Sequence, residues 1–388
     1  MGNYADRDTV SPQELEIMLD KYLAKDPSDV APMFIWGPPG IGKSDIVKQM
    51  TIKHFADQED SGERKSVGSG KVEEINLDKF FIDVRLTLAD PTRLMGMPAY
   101  SKDHETSTWL PPTDVPRIGG KHWEKGVWFL DELASAAPSV QVTAHRAIHD
   151  RRIEETIIKP GWHIIAAGNP PSDRTVSYEL GMPLANRFMM HLYVRPDIES
   201  WYKWAYSHNI HSEIIGYLQW KQGAPLMRLE VGKDSNSFPT PRSWANCSKV
   251  LDVFGKDINS VLWQRAVASC VGQGAAMELY GFLKVYKSLP DPVQIMDGKI
   301  KMPKYNSDNT DRLWALITSF AEILKGNPKK YASRYLDLSL EMEEKEFGVF
   351  MLKLVVGDKT IASQFMNLKS KFRHVGERYS DILMPGDE

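Results

Sequence analysis

Residues 33–54 combine three elements that few folds can hold together. An apolar run, Met33-Phe34-Ile35-Trp36, is followed at once by Gly37-Pro38-Pro39-Gly40-Ile41-Gly42-Lys43-Ser44 and then by a helical pattern to His54. The middle segment fits GxxxxGK[ST] in full, and it lies where that pattern has a mechanism, after a strand and opening a helix. Glycines let successive backbone N–H groups turn inward around phosphate oxygens, and the helix N-terminus adds a favourable partial charge. In such a loop Gly37, Pro38, Pro39, Gly40, Ile41 and Gly42 form the cradle. Lys43 reaches the β- and γ-phosphates, and Ser44 ligates Mg²⁺.

The surrounding pattern predicts a parallel α/β sheet. Four more apolar runs, Phe80–Leu86, Val127–Asp131, Trp162–Ala167 and Phe188–Val194, read as strands, giving five in all. Their near-continuous apolar character suits strands buried on both faces, and helices alternate with them. Ser11-Pro12-Gln13-Glu14 reads as a capping box opening a helix over 11–25, and a further helix is expected over 139–150. Residues 57–74 are polar and glycine-containing and read as a surface insertion. Residues 90–126, rich in Pro and Gly, read as long functional loops with little regular structure. After Pro196 only helical patterns occur, over 198–206, 211–220, 242–254, 260–288, 311–324 and roughly 341–368. Roughly 100–200 residues per domain makes three units reasonable: an α/β unit over 1–195, a helical lid over 196–290 and a helical C-terminal extension over 291–388.

Further residues carry chemistry by position. The strand Val127–Leu130 ends in Asp131-Glu132. Asp131 is suited to hold Mg²⁺ through water, and Glu132 to orient and deprotonate a water attacking the γ-phosphate. The strand 163–168 ends in Asn169, placed to hydrogen-bond that water or the γ-phosphate. Arg187, just before the last strand, is placed to stabilise charge on a transferring phosphoryl group, with a surface ion pair as the alternative. Arg242, at a helix start, could contact the γ-phosphate. Arg151-Arg152 reads as a solvated helix end, with an interface contact as the alternative.

Other classes of function find little support. The 48 Lys+Arg and 51 Asp+Glu leave a formal charge of −3, which argues against coating nucleic acid by bulk charge. Two cysteines, Cys247 and Cys270, exclude a disulfide scaffold. No apolar run approaches ~20 residues, and the N-terminus lacks the apolar core of a signal peptide. Met1-Gly2 is followed by Asp6 where a myristoylation motif needs Ser or Thr. The expectation is a soluble cytoplasmic protein. His145 and His149 have a helical spacing but no HExxH frame, and no guanine-recognition motif accompanies the phosphate loop, so ATP is favoured over GTP.

Taken together, GPPGIGKS, DVRLTLADPTRLMGMP, WLPPTDVPR, VWFLDELASAAPSVQ, AAGNPP, LANRF and FPTPRSW resemble the MoxR-like branch of the AAA+ ATPases over about residues 30–250. That group is often found beside proteins with a von Willebrand factor A domain in bacteria and their phages. The resemblance implies Walker A residues at Gly37–Ser44, Walker B acids at Asp131 and Glu132, sensor 1 at Asn169, an arginine finger at Arg187 and sensor 2 at Arg242. It implies ATP, ADP and Mg²⁺ bound between the α/β unit and the lid, with Arg242 acting on its own subunit or a neighbour. It implies a homo-oligomeric ring, typically a hexamer, in which Arg187 completes the neighbour's site. It also implies chaperone-like remodelling or maturation of a partner, often one with such a domain, and an insertion within 90–126 that faces the pore or partner. A nucleic-acid motor or loader on the same core is the alternative; the tail residues Lys369, Lys371, Arg373 and His374 are its only local sign.

Overall fold

The computed structural model describes residues 9–56, 76–101, 105–170, 180–228, 237–255, 257–287, 290–305, 310–355 and 357–383. The expected insertion at 57–74 lies outside the described residues. The chain divides into two compact units, Met1–Asp197 and Ile198–Glu388.

The first unit runs β1 (Thr9–Val10), α1 (Pro12–Leu23), β2 (Met33–Trp36), α2 (Lys43–Phe55), β3 (Phe81–Arg85), α3 (Pro91–Met95), β4 (Met97–Tyr100), β5 (Ser107–Leu110), β6 (Gly126–Asp131), α4 (Pro138–Asp150), β7 (Arg152–Ile153), β8 (Thr156–Ile157), β9 (Trp162–Gly168), α5 (Met182–Ala185) and β10 (Met190–Val194). Its main sheet is parallel throughout, in the order β1-β10-β2-β9-β6-β3. Six strands stand where five were expected. The addition is β1, whose Thr9 and Val10 pair with Tyr193 and Val194. Two residues are too few to show a period, and their partner strand is remote in sequence.

Burial explains the sequence pattern. β2, β6 and β9 are buried along their whole lengths because each face meets a separate core. Phe34, Trp128, Leu130, Ile164 and Ala166 pack with Val140, Ala144 and Ile148 of α4. Met33, Ile35, Val127, Phe129 and Ile165 pack with Leu15 and Leu19 of α1 and with Ile46, Val47 and Met50 of α2. The capping box on α1 forms as expected: Glu14 N donates to Ser11 Oγ at 3.2 Å and Ser11 N to Glu14 Oε2 at 2.6 Å.

Residues 90–126 are more ordered than expected. They contain α3 and an antiparallel hairpin, β4 with β5, in which Met97 pairs with Leu110 and Pro98 with Trp109. Gly96 closes the neck at φ 89°, where a Cβ would lie 2.0 Å from the Leu110 carbonyl oxygen. The following segment straps the N-terminal ends of the strands. Trp123 N donates to Lys79 O at 2.7 Å, Trp162 Nε1 to Trp123 O at 2.9 Å, and buried Lys159 Nζ to His122 O at 2.6 Å. The prolines and glycines hid these anchors, which depend on groups remote in sequence meeting across the strand ends.

The second unit is helical: α6 (Ile198–Ser207), α7 (Ser212–Trp220), α8 (Pro241–Phe254), α9 (Val261–Val271), α10 (Gln273–Lys287), α11 (Pro292–Met296), α12 (Thr310–Gly326), α13 (Pro328–Glu341), α14 (Lys345–Lys353), α15 (Lys359–Asn367) and α16 (Lys369–Leu383). No strand occurs in it among the described residues. One core runs through it on both sides of the segment near 290, joining Trp244, Val267 and Leu279 to Phe320, Tyr335 and Met351. The single helix expected over 260–288 is two, broken at Gly272. Gly272 takes φ 84°, and a Cβ there would lie 2.7 Å from Ser237 O. The helix expected over 341–368 is likewise α14 and α15, with Asp358 capping the second through Thr360 N and Ile361 N.

Candidate functional site

The site is assembled where β2, β9 and β6 end side by side. Gly37 N donates to Gly168 O at 3.2 Å, tying the loop to the neighbouring strand. At the loop's far end Gly42 takes φ 104° as the N-cap of α2, with no side chain capping that helix. A left-handed φ costs a non-glycine residue roughly 1–2 kcal/mol, so the tight entry to α2 demands glycine here. The first N–H groups of α2 are thereby left for an anion.

Lys43, in the first turn of α2, is buried. Its Nζ donates to Gly37 O at 2.6 Å, Pro38 O at 3.2 Å and Asn169 Oδ1 at 2.9 Å. An ammonium only donates, so Asn169 must turn its carbonyl oxygen to Lys43, which directs its amide NH₂ elsewhere. Ser44 Oγ donates to Asp131 Oδ2 at 2.8 Å, and the other oxygen of Asp131 accepts from Glu132 N at 2.9 Å. A hydroxyl and a carboxylate thus face each other across the start of α2 and the end of β6. This is an all-oxygen pair of the kind that suits Mg²⁺, which takes one or two protein ligands and completes its shell with phosphates and water. Among the described residues no group of three or more His, Cys, Asp or Glu that could hold a metal ion converges. Glu132 takes φ 58°, a strained value for a side-chain-bearing residue, and such strain clusters at functional sites.

Sequence reasoning missed Thr87. It lies in the 3-10 turn Leu86–Leu88 after β3, and its hydroxyl donates to Glu132 Oε2. Only the pairing of β3 with β6, which sets Arg85 opposite Asp131, brings Thr87 to the acid. Nearby, partial desolvation first and the Asp131 charge second push the Asp83 carboxyl above its ordinary value.

The remaining expected residues lie on or beside other elements. Arg187 follows α5 and is half-buried; its Nε finds no hydrogen-bond partner among the described residues. Arg242 is exposed in the second unit, in the first turn of α8, where Thr240 and Ser243 form a capping box. A cation there opposes the helix dipole. Arg151 is not a solvated helix end: it turns inward, donating to Lys159 O at 3.0 Å and Trp162 O at 2.6 Å. His145 and His149 stack with ring centroids 6.2 Å apart. No described helix is long and apolar enough to cross a membrane.

No family model matches this chain, and no curated protein matches it. Solved structures with some likeness include NtrX from Brucella abortus in complex with ADP, at 14% identity and TM-score 0.36, covering 94% of this chain and 68% of that one. Another is the P216G mutant of RuvB from Thermotoga maritima, at 14% identity and TM-score 0.35, covering 79% of this chain and 80% of that one. Likeness at this level carries no function to this chain.

Proposed function

We propose that this protein is an ATP hydrolase of the AAA+ type, MoxR-like, that binds ATP and Mg²⁺ at Gly37–Ser44 and couples hydrolysis to remodelling or maturation of a partner protein. One observation carries this reading: Lys43, Ser44, Asp131, Glu132 and Asn169, separate in sequence, converge at adjacent strand ends. The loop glycines and the α2 N-terminus bind the phosphates. Lys43 moves from its carbonyl partners onto the β- and γ-phosphate oxygens. Ser44 and Asp131 hold Mg²⁺, which when bound screens phosphate charge. Glu132 takes the proton of the attacking water while Thr87 fixes its carboxylate, and the Asn169 amide orients that water or the γ-phosphate.

In this reading the protein assembles as a homo-oligomeric ring, a hexamer, in the cytoplasm. Arg187 enters the neighbour's site, and Arg242 reports the γ-phosphate to the helical unit. The β4–β5 hairpin faces the pore or a partner with a von Willebrand factor A domain. The exposure of Tyr100 at 79%, Met97 at 60% and Leu110 at 57% supports that role, since apolar groups on a hairpin stay exposed at a cost that a partner removes. Two of the four tail residues behind the nucleic-acid alternative have acidic neighbours. Lys371 is held by Asp337 at 2.7 Å and by Ser333 at 2.8 Å, and Arg373 lies 3.6 Å from Glu377.

Purified protein with ATP and Mg²⁺ is expected to release inorganic phosphate and to sediment as a closed oligomer. A monomer at every concentration that releases none would overturn the reading. DNA added at graded salt is expected to leave turnover unchanged; a stimulation that fades as salt rises would favour the nucleic-acid alternative.

A further inference from the structure

A chain of hydrogen bonds runs from the strand that enters the phosphate loop to the turn that carries Arg187. Trp36, the residue before Gly37, donates from Nε1 to His191 Nδ1 at 3.0 Å. The other ring nitrogen of His191, Nε2, lies 2.9 Å from Ala185 O, at the end of α5. Phe188 N donates to the same carbonyl at 3.3 Å, and Arg187 N to Leu184 O at 3.1 Å. These bonds tie Ala185, Asn186 and Arg187 into one turn.

The chemistry of the partners fixes the roles of the two His191 nitrogens. An indole N–H can only donate and a carbonyl can only accept. In this arrangement Nδ1 accepts from Trp36 and Nε2 donates to Ala185 O. The ring is held besides by its neighbours. It stacks on Phe34 at 5.7 Å and 27°, and Phe188 meets it edge-on at 5.7 Å. Trp36 stacks on Tyr193 at 5.9 Å and 9°. Strand pairing dictates this assembly, because Phe34 lies opposite His191 and Trp36 opposite Tyr193 in the β2–β10 ladder. On its other side Trp36 lies opposite Gly168 in the β2–β9 ladder, one residue before Asn169. Gly37 is pressed against β10, where a Cβ would come within 3.2 Å of Val194 O.

We propose that Trp36 and His191 transmit the state of a subunit's own phosphate loop to its Arg187, so that His191 is a positioning residue for turnover in the neighbouring subunit. The proposal rests on the reading above that Arg187 serves a neighbour. Triphosphate binding draws on Gly37–Lys43 and shifts the end of β2. Trp36 carries that shift to the His191 ring, and the ring carries it to the Ala185 carbonyl. The packed aromatic side chains make the link stiff, because they leave His191 little freedom to absorb a displacement.

The test is the shape of phosphate release against ATP concentration. Wild-type protein is expected to give a sigmoidal curve, since a loaded loop improves the arginine offered next door by a coupling of about fivefold or more. His191→Phe keeps an aromatic ring and loses both hydrogen bonds. Trp36→Phe keeps the stack with Tyr193 and loses the donor. Both are expected to give hyperbolic curves, with ATP affinity in binding assays within about twofold of wild type. His191→Gln, which can both accept and donate, should restore part of the sigmoidal shape. A merely structural residue would change thermal stability or affinity and leave the shape alone.

A hyperbolic wild-type curve, sigmoidal curves in both phenylalanine variants, or failure of both variants to fold would overturn the proposal. The underlying reading is checked separately with mixed oligomers of Lys43→Ala and Arg187→Ala subunits, which need no change at His191. Regained turnover there supports the shared site. Its absence in verified co-assemblies removes the shared site, and with it the premise of the coupling, whatever the His191 variants do.

Discussion

The two units of this chain use burial differently. In the α/β unit, charged and polar groups are buried at strand ends and turned toward one another: Lys43 and Asp131 are 8% and 7% exposed and meet Asn169 and Ser44. In the helical unit, burial is dominated by one long apolar core from Trp201 to Tyr379, and its buried polar groups pair at separate places in that unit, Ser212 with Glu322 and Glu213 with His211. Ser248 Oγ accepts from His211 N, and Thr318 Oγ1 bonds back to Ala315 O. Burying a charge is unfavourable unless partners compensate. A cluster of such groups at adjacent strand ends is therefore a candidate ligand site, whereas an apolar core serves as a scaffold.

If that contrast is right, substitutions in the first unit should cost activity and substitutions in the second should cost stability. The largest effect is expected for Lys43→Ala. Loss of one preorganised charge contact costs about 100- to 1,000-fold in turnover, and ATP binding should weaken in the same protein by equilibrium titration. Retained activity would mean that Lys43 serves only to tie the loop to its own carbonyls. Thr87→Ala comes next. It removes a hydrogen bond to a charged group, worth about 1.5–3 kcal/mol, so turnover should fall about tenfold or more while ATP affinity holds. A fall in affinity instead would place Thr87 on the nucleotide.

The helical unit supplies the opposite case. Gly272→Ala puts a side chain at φ 84° and within 2.7 Å of Ser237 O. Strain of this kind costs about 1–3 kcal/mol, so thermal unfolding should shift downward with ATP affinity unchanged. A change in affinity with no loss of stability would blur the division between the units.

The smallest expected effects are in pH dependence, and they have opposite signs. In the α/β unit, burial holds His122 and His163 well below the ordinary 6.5, each to about 4. Both are therefore neutral when folded, and the unfolded chain takes up their protons first. Their contribution to stability is full above about pH 6.5 and is lost as pH falls toward 4. In the helical unit His211 is raised, chiefly by its bond to Glu213 and then, against some desolvation, by Asp252. Its contribution is full below its ordinary value and is lost as pH rises above it. Hydrogen exchange should show the backbone around His122 and His163 weakening in acid and that around His211 weakening toward alkaline pH. His163→Gln should flatten the acid limb, and an unchanged limb would assign acid sensitivity elsewhere.

The same contrast explains what could be read without a structure. That Lys43, Ser44, Asp131, Glu132 and Asn169 would converge was legible, because the motif and the strand ends that carry them are visible in the sequence. Thr87 and His191 were not. Each earns its place from strand register, Arg85 opposite Asp131 and Phe34 opposite His191, and a linear chain does not display register. β1 was too short to carry a period. In the helical unit apolar spacing revealed most of the helices, but it ran through Gly272 without marking the break, and α13 and α16 went unread beside it. The hairpin of 97–110 was masked by the prolines and glycines around it.

The central claim is that Glu132, strained at φ 58° and held by Thr87, is the base that activates water against a bound triphosphate. Phosphate release by Glu132→Gln, measured beside its ATP affinity, tests this most directly. The account predicts affinity like that of the wild type with turnover reduced about 100-fold or more, the range for loss of a general base. Undiminished turnover in a variant that binds ATP normally would contradict it.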